Sequence, residues 1–223
     1  MQTIRVLLVD DEQDLLESSK IYLENIEKNF HIYTATCAND ALDLLEKEPI
    51  DVIISDYQMA EINGLAFLER IHELGYDIPF IIFTGRGREE VVIQALNLGA
   101  DYYLQKGGDV QSHFHELINL INKSIDKKKA EIALRKSEEK FFKAFQYSFN
   151  SIAINRRSDT EFLDVNDNFL QMLNYSRDEV IGKTSYELML WAKKENYEHY
   201  KKQVLETGEV NDFETILLIK DAR

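Results

Sequence analysis

The feature that most constrains the fold is an alternation of short apolar runs with segments of helical spacing along residues 1–124. The apolar runs are mostly β-branched or aromatic, as buried strands are, and they are Ile4–Val9, Ile32–Thr36, Val52–Ser55, Phe80–Thr84 and Tyr102–Leu104. Between them, apolar residues recur every three or four positions, as in Leu65, Leu68 and Ile71, which is typical of amphipathic helices. Five strands alternating with five helices predict an α/β fold whose parallel sheet is covered by helices on both faces.

The ends of the predicted strands carry a consistent set of polar side chains. Asp10 and Asp11 follow the first strand, Asp56 follows the third, Thr84 ends the fourth, and Lys106 lies just beyond the fifth. These residues fall at the carboxyl edge of the sheet, where doubly wound folds place their functional crevice. Converging carboxylates favour a cation, and all-oxygen ligands suit Mg²⁺. A hydroxyl and an ammonium suit an anion, so the edge is predicted to support phosphoryl chemistry.

Each of these residues has a simpler interpretation when taken alone. An Asp at a strand end is often the N-cap of the next helix, and an isolated lysine is often a surface residue. The combination, in the right order along successive strand ends, favours a functional site over these separate explanations.

Four phrases carry a family resemblance across residues 3–124. LLVDDEQD, IISDYQM, FIIFTGRG and ADYYLQKGG resemble the receiver domains of two-component response regulators, and GRGREEV and YLQKGGD are more similar to archaeal receivers than to bacterial ones. The resemblance implies a flavodoxin-like, doubly wound, five-stranded parallel sheet. It also implies a phosphoprotein that takes a phosphoryl group from a sensor histidine kinase.

The resemblance assigns a role to each polar residue of the edge. Asp56 is the expected phospho-acceptor. Asp11, Asp56 and the backbone carbonyl of Gln58 are expected to hold Mg²⁺, with Asp10 supporting the metal site. Lys106 is expected to pair with the phosphoryl oxygens.

The resemblance also implies a conformational switch. Thr84 is expected to hydrogen-bond the phosphoryl group, and Tyr103 occupies the position of the switch aromatic, which turns inward. The surface formed by the fourth helix, fifth strand and fifth helix then changes. In one respect the sequence departs from the family: a proline in a cis peptide usually follows the lysine, whereas Gly107 and Gly108 follow Lys106 here. This departure leaves the conformation of the Lys106–Gly107 peptide open.

Charge divides the chain into three parts. Residues 1–124 hold 22 acidic and 9 basic residues, residues 125–145 hold 4 and 7, and residues 146–223 hold 14 and 10. We therefore predict a receiver domain over 1–124, a helical connector over 125–137 and a second domain over 138–223.

The connector allows two interpretations. Its apolar pattern is a heptad that is broken by a lysine, and it comprises Ile118, Ile121, Ile125, Lys128 and Ile132. One interpretation is a long fifth helix with a solvated lysine face. The other is a signalling helix that pairs with its copy, so a homodimer is predicted either here or through the surface around the fourth helix. Ser137 is predicted to cap a new helix.

The second domain resembles a PAS domain through the phrases EEKFFKAFQYSFNSIAI, FLDVNDNFLQMLNYSRDEVIGK and FETILLIKD. The resemblance implies an α+β fold with an antiparallel sheet of five strands. Only three strands are predicted, over Ser151–Asn155, Phe162–Val165 and Phe213–Ile219, so an incomplete PAS domain is expected.

The second domain shows no signal for a particular cofactor. Thr184 and Ser185 stand after the GK turn, where a flavin photosensor would have its reactive cysteine. His199 is a lone histidine among tyrosines and lysines, which is typical of a surface residue rather than a haem ligand. Trp191 and the cluster of Phe141, Phe142 and Phe145 are expected in the core. We therefore expect no PAS cofactor, and the PAS ligand stays unknown.

Composition excludes several other classes. A net charge of −14 disfavours sequence-independent nucleic-acid binding. The single cysteine, Cys37, excludes an intramolecular disulfide and a multi-cysteine zinc site. No apolar run approaches the roughly 18 residues of a membrane span, and the first residues lack the pattern of a signal peptide. The expected location is therefore cytoplasmic, without membrane attachment.

These observations predict phosphorelay signal transduction by a receiver coupled to a PAS sensory or interaction module. No enzyme activity is expected beyond self-phosphorylation and autodephosphorylation. An alternative is the N-terminal part of a longer receiver–PAS histidine kinase whose catalytic domain is missing. Neither a histidine-phosphorylation box nor an ATP-binding motif occurs here, so this chain alone is not expected to be a kinase. A flavodoxin-like electron carrier is disfavoured because DDEQD would repel a phosphate after the first strand. An aspartate-nucleophile phosphatase would need a DxD motif there.

Overall fold

The computed structural model describes residues 3–85, 89–107 and 109–220. It divides into two compact units, Met1–Ala133 and Leu134–Arg223. Within the described ranges, no helix is both long enough and apolar enough to cross a membrane.

The first unit contains a five-stranded, fully parallel sheet. Its strands are β1 (Ile4–Val9), β2 (Phe30–Ala35), β3 (Val52–Ser55), β4 (Phe80–Thr84) and β5 (Tyr102–Gln105). The spatial order is β2-β1-β3-β4-β5, which is the flavodoxin-like order and confirms the predicted fold class. The chain reverses its winding direction between β1 and β3, so a crevice opens at the carboxyl ends of these two strands.

In the described ranges of the first unit, one helix follows each of the five strands. They are α1 (Gln13–Ile26), α2 (Ala38–Lys47), α3 (Gly64–Glu73), α4 (Glu89–Asn97) and α5 (Val110–Gln146). Helix α3 starts where the Asn63 side chain accepts hydrogen bonds from the backbone N–H groups of Leu65 and Ala66. Such a cap satisfies N–H groups that have no partner within the helix.

The strands are apolar throughout because helices cover both faces of the sheet. Leu7 and Val9 of β1 face one hydrophobic cluster, and Val6 and Leu8 face the other. All four are buried, and burying a side chain of this size stabilises the fold by about 1.5–3 kcal/mol. This two-sided burial explains why the strands appear in the sequence as unbroken apolar runs.

Helix α5 runs without interruption for 37 residues, so the prediction that Ser137 starts a new helix is wrong. Residues 130–146 contain neither glycine nor proline and are rich in Ala, Glu and Lys, which favour a continuous helix. The division between the two units falls inside this helix. The predicted domain limits at 124 and 137 stay a prediction.

Besides the end of α5, the described residues of the second unit form a two-stranded antiparallel sheet and three further helices. These elements are β6 (Ala153–Asn155), β7 (Phe162–Val165), α6 (Asp167–Leu173), α7 (Arg177–Val180) and α8 (Lys194–Thr207). The antiparallel pairing fits the predicted α+β class. A buried amide, Asn166, caps α6 and also accepts a hydrogen bond from the backbone N–H of Ile152, which joins the two strands to the helix.

The predicted strand over Phe213–Ile219 does not form. This segment makes one isolated bridge, between Leu217 and Trp191, and two further backbone hydrogen bonds join Ala192 to Ile216 and Leu218 to Leu190. Its partner is therefore an irregular loop rather than a strand. A mostly apolar segment forms a strand only where another strand offers a regular ladder of hydrogen-bonding groups.

Candidate functional site

Two carboxylates are placed side by side by the register of β1, β2 and β3. The backbone N–H of Asp10 donates to the carbonyl of Ala35 at 3.2 Å, and the N–H of Asp56 donates to the carbonyl of Val9 at 2.8 Å. The sheet ladder therefore extends one residue past β1 and β3. Both aspartates are buried, with 5% and 8% of their surfaces exposed.

Lys106 joins these two carboxylates. Its Nζ lies 2.6 Å from Asp10 Oδ2 and 3.0 Å from Asp56 Oδ1. The Lys106 backbone N–H donates to the carbonyl of Thr84 at 2.7 Å, which fixes the residue to the end of β4. The Nζ also lies 5.2 Å from the centre of the Phe83 ring, within the range of a cation–π contact.

The environment of Lys106 favours its charged form. Burial lowers the pKa of Lys106, but hydrogen bonds and charges from Asp10 and Asp56 outweigh burial and leave the pKa above its ordinary value. The site therefore holds a permanent cation next to Asp56 at neutral pH.

Backbone N–H groups bind the remaining carboxylate oxygens. Asp56 Oδ2 accepts from the N–H of Gln58 at 2.5 Å, and Asp10 Oδ1 accepts from Glu12 at 3.0 Å. Asp11 is exposed, and its Oδ2 accepts from the N–H of Ala60 at 3.3 Å. The loops after β1 and β3 are thus joined through carboxylate–amide contacts.

A cavity of about 260 Å³ opens at this edge of the sheet. The predicted site residues on its wall are Asp11, Asp56, Gln58, Thr84 and Lys106. Asp10 is not among the residues that line the cavity, and its Oδ2 lies 2.6 Å from Lys106 Nζ. The structure therefore brings five of the seven predicted site residues to one cavity.

The donor set of this cavity suits a hard cation. Asp11 and Asp56 present carboxylate oxygens to the same space, and oxygen donors are what Mg²⁺ prefers. In the part of the chain that the structure describes, no group of three or more His, Cys, Asp or Glu side chains is arranged to hold a metal. Asp10 and Asp56 share Lys106 instead, so a metal would draw on Asp11, Asp56 and backbone oxygen.

Thr84 and Tyr103 lie on neighbouring strands, and both are close to the carboxylates. Thr84 ends β4 and is buried. The hydroxyl of Tyr103 is buried and has no hydrogen-bond partner within the described ranges. Burial raises the pKa of Tyr103, and the charge of Asp56 adds to this effect. Tyr102 packs on the opposite face of the sheet, as the strand alternation predicts.

Sequence reasoning missed Gly64, which permits a close approach behind Asp56. A Cβ atom at Gly64 would lie 2.3 Å from the carbonyl oxygen of Asp56, so only glycine fits without a shift. The N–H of Gly64 also donates to the carbonyl of Tyr57 at 2.9 Å. The Asn-Gly pair at the start of α3 was the available signal, because Asn63 fixes where the helix begins.

The second unit contains an aromatic cavity of about 360 Å³. Trp191 borders this cavity, packs against Tyr197, Tyr200 and Phe213, and donates from its Nε1 to Ser185 Oγ at 2.9 Å. His199 stacks on Phe213, with ring centres 5.7 Å apart.

The prediction that the phenylalanine cluster lies in the core is wrong for two of its members. Phe145 is buried, but Phe141 and Phe142 are exposed by 61% and 57%. Phe141 and Phe145 lie one turn apart on the same face of α5, and their rings stack with centres 5.9 Å apart, yet only Phe145 is buried. A cluster in the sequence therefore does not imply common burial.

Family models match both parts of the chain. The response regulator receiver domain matches residues 6–130, and a PAS domain matches residues 150–223. A response regulator named SaeR from Staphylococcus epidermidis is 38% identical over 101 residues, which are 45% of this chain and 43% of the relative. SaeR from Staphylococcus aureus is 37% identical over the same number of residues. The match with these relatives spans less than half of their own length.

Solved structures support the fold of the first unit. A response regulator receiver domain protein from Clostridium thermocellum is 29% identical, covers 57% of this chain and 98% of its own, and has a TM-score of 0.51. A CheY-like receiver domain protein from Methanospirillum hungatei is 28% identical, covers 58% and 99%, and has a TM-score of 0.52.

Proposed function

Because the chain belongs to the response regulator receiver family, and is therefore a phosphorelay signalling protein, we propose that it accepts a phosphoryl group on Asp56. Receiver domains generally bind Mg²⁺ at the phosphorylation site and take the phosphoryl group from a histidine kinase. The observation that carries the assignment to Asp56 is the bridge from Lys106 to Asp10 and Asp56, at the switch point between β1 and β3.

The reaction is a displacement at phosphorus. A carboxylate oxygen of Asp56 forms the new O–P bond while the P–N bond of a phosphohistidine breaks, and the imidazole leaves with a proton from solvent. Attack by an anion on an anionic phosphoryl group is opposed by charge repulsion, which Lys106 reduces. Asp11, Asp56 and the carbonyl of Gln58, with support from Asp10, would hold Mg²⁺, which would neutralise further charge.

Both oxygens of Asp56 have partners in the structure. Oδ1 is paired with Lys106 and Oδ2 with the N–H of Gln58, so the carboxylate is held in one orientation. An oriented nucleophile lowers the entropic part of the barrier. Hydrolysis of the aspartyl phosphate returns the site to its starting state.

The signal leaves the site through Thr84 and Tyr103. A phosphoryl group on Asp56 offers new acceptor oxygens, and the hydroxyl of Thr84, on the cavity wall, donates to one of them. Movement of Thr84 changes the relative populations of two positions of the Tyr103 side chain, one turned inward and one turned outward. The surface of α4, β5 and α5 changes as a result. The exposed Ile93 and Leu96 of α4 give this surface apolar area for a partner.

The second unit acts as a PAS sensory or interaction module coupled to the receiver. Residues 129–144 of α5 are exposed on every face, which leaves this stretch free to pair with a second copy. A homodimer through α5, or through the surface of α4, β5 and α5, is therefore part of the proposal.

The test is incubation with acetyl phosphate and Mg²⁺, followed by intact-mass measurement. One phosphoryl group is expected on the wild-type protein and none on Asp56→Asn. Chelation of Mg²⁺ with EDTA is expected to abolish labelling. Labelling that persists in Asp56→Asn would contradict the assignment of the acceptor.

A further inference from the structure

The loop after Lys106 is built differently from the family pattern described above. No cis peptide bond occurs in the described part of the chain, which includes the Lys106–Gly107 bond. A proline at this position would have no N–H group, whereas Gly107 has one. That N–H donates to Nε2 of His113 at 3.2 Å.

His113 is presented by a well-anchored first turn of α5. The Asp109 side chain accepts from the Ser112 N–H at 3.0 Å and from the Ser112 hydroxyl at 3.1 Å. The His113 N–H in turn donates to the Asp109 carbonyl at 3.3 Å. The imidazole is half-buried, and it carries its proton on Nδ1 when Nε2 accepts.

The next residue of α5 supports the lysine side chain. Phe114 is buried and packs against Phe83 with ring centres 6.3 Å apart, and against Tyr22 at 4.6 Å. Phe83 is the ring that lies under the ammonium of Lys106. The first turn of α5 therefore makes two contacts near Lys106. His113 contacts the backbone of Gly107, and Phe114 contacts the Phe83 ring that lies under the Lys106 ammonium.

We infer that His113 is a positioning residue for phosphoryl transfer, which acts by holding the backbone beyond Lys106. On one side, the Lys106 N–H is fixed to Thr84 at 2.7 Å. On the other side, two glycines follow in the sequence, and glycine has the largest backbone freedom to lose. The hydrogen bond to His113 restrains this side, so that Nζ of Lys106 stays between Asp10 and Asp56. The inference rests on the proposed function of Asp56.

The experiment measures the rate of phosphoryl incorporation from saturating acetyl phosphate with Mg²⁺. His113→Leu removes the acceptor and is expected to slow labelling about five-fold, the size of effect that one hydrogen bond supports. His113→Gln retains an acceptor oxygen at similar reach and is expected to restore most of the rate, whereas the shorter His113→Asn is not. The matched control is His115→Leu. His115 is another histidine of α5, and its Nδ1 hydrogen-bonds the carbonyl of Gln111 on its own helix, at 2.7 Å, rather than the loop after Lys106.

A second comparison tests whether His113 acts through Lys106. In a Lys106→Ala background, His113→Leu is expected to cause no further loss, because the group that it positions is absent. A residue that merely supported the fold would slow both backgrounds equally, and Gln would not rescue it better than Asn.

The outcomes separate this inference from the proposed function. If wild type is labelled on Asp56 and His113→Leu is labelled at the same rate, His113 has no positioning role and the proposed function stands. If His113→Leu slows labelling by the same factor in the Lys106→Ala background as in wild type, the inference is wrong and the proposed function stands. If the wild-type protein is labelled no more than Asp56→Asn, the proposed function and this inference are both wrong.

Discussion

The two units differ in how they bury apolar side chains. In the first unit, two hydrophobic clusters cover the two faces of a five-stranded sheet. Twelve of the largest side chains in the described ranges are almost wholly inaccessible, Phe67 and Ile53 among them, and all twelve belong to these clusters. In the second unit, one cluster of seven buried residues packs beside a two-stranded sheet, and Phe149 and Ile216 are exposed by 99% and 70%. A sheet covered on both faces fixes the position of every strand end, and the proposed site depends on that.

The largest expected effect contrasts two phenylalanines, one from each unit. Phe67→Ala removes a fully buried ring that contacts Phe80 and leaves a cavity. We expect it to lower the free energy of unfolding by about 3–5 kcal/mol. Phe141→Ala, on the exposed face of α5, is expected to cost less than about 0.5 kcal/mol. Urea denaturation followed by circular dichroism measures both. A large loss in Phe141→Ala would show that another surface covers this ring in solution.

The next effect concerns the close approach behind Asp56. Gly64→Ala places a methyl group against the Asp56 carbonyl and is expected to cost about 2–3 kcal/mol and to slow phosphorylation. Gly85→Ala is the stability control, since a Cβ there meets nothing within 4 Å. Denaturation midpoints measure the difference between the two variants, and equal midpoints would refute the steric explanation.

A smaller effect of opposite sign is expected at Tyr103. Tyr103→Phe removes a buried hydroxyl that has no partner within the described ranges, and it is expected to raise the unfolding free energy by about 1 kcal/mol. The ring and its packing remain, so Asp56 labelling should continue. A loss of stability instead would mean that the hydroxyl binds water or a residue outside those ranges.

The smallest effect is a pH dependence in the second unit. Hydrogen bonds from Lys220 and from Ser176 lower the pKa of Glu179 to about 2 from 4.5. Because the folded-state pKa is the lower one, this carboxylate stabilises the fold above pH 4.5, and the contribution is lost as the pH falls from 4.5 towards 2. The difference in Tm between wild type and Glu179→Gln should therefore shrink over that interval. A constant difference would contradict the ion pair.

The same contrast explains what could be predicted from the sequence. Strands such as Val52–Ser55 were predictable because burial on both faces leaves an unbroken apolar run. Segment 213–219 is also largely apolar, but its neighbours at 190–192 form an irregular loop, and a strand depends on its partner. The continuous α5 was mispredicted at Ser137, because a capping residue starts a helix only where the preceding chain is not already helical.

Within the site, the residues that were predicted are those whose chemistry is carried by their side chains. Asp56, Lys106 and Thr84 could be placed from their positions at strand ends. Gly64 and His113 could not be placed. Gly64 acts through the absence of a Cβ, and His113 acts by accepting a hydrogen bond from the backbone N–H of Gly107, six residues before it. Such contacts depend on the path of the loops, which spacing in the sequence does not encode.

The register that places Asp10 and Asp56 side by side also limits how this chain can change over evolutionary time. Val9 is paired with Ala35 on one side and Ser55 on the other, and each aspartate is the next residue. Side chains alternate between the two faces of a strand. Inserting or deleting one residue in β3 would therefore turn each of its side chains to the opposite face and move Asp56 away from Lys106. Lineages that keep the phosphoryl site can therefore vary these strands by substitution but not in length, whereas loops away from the carboxyl edge are free to grow or shrink.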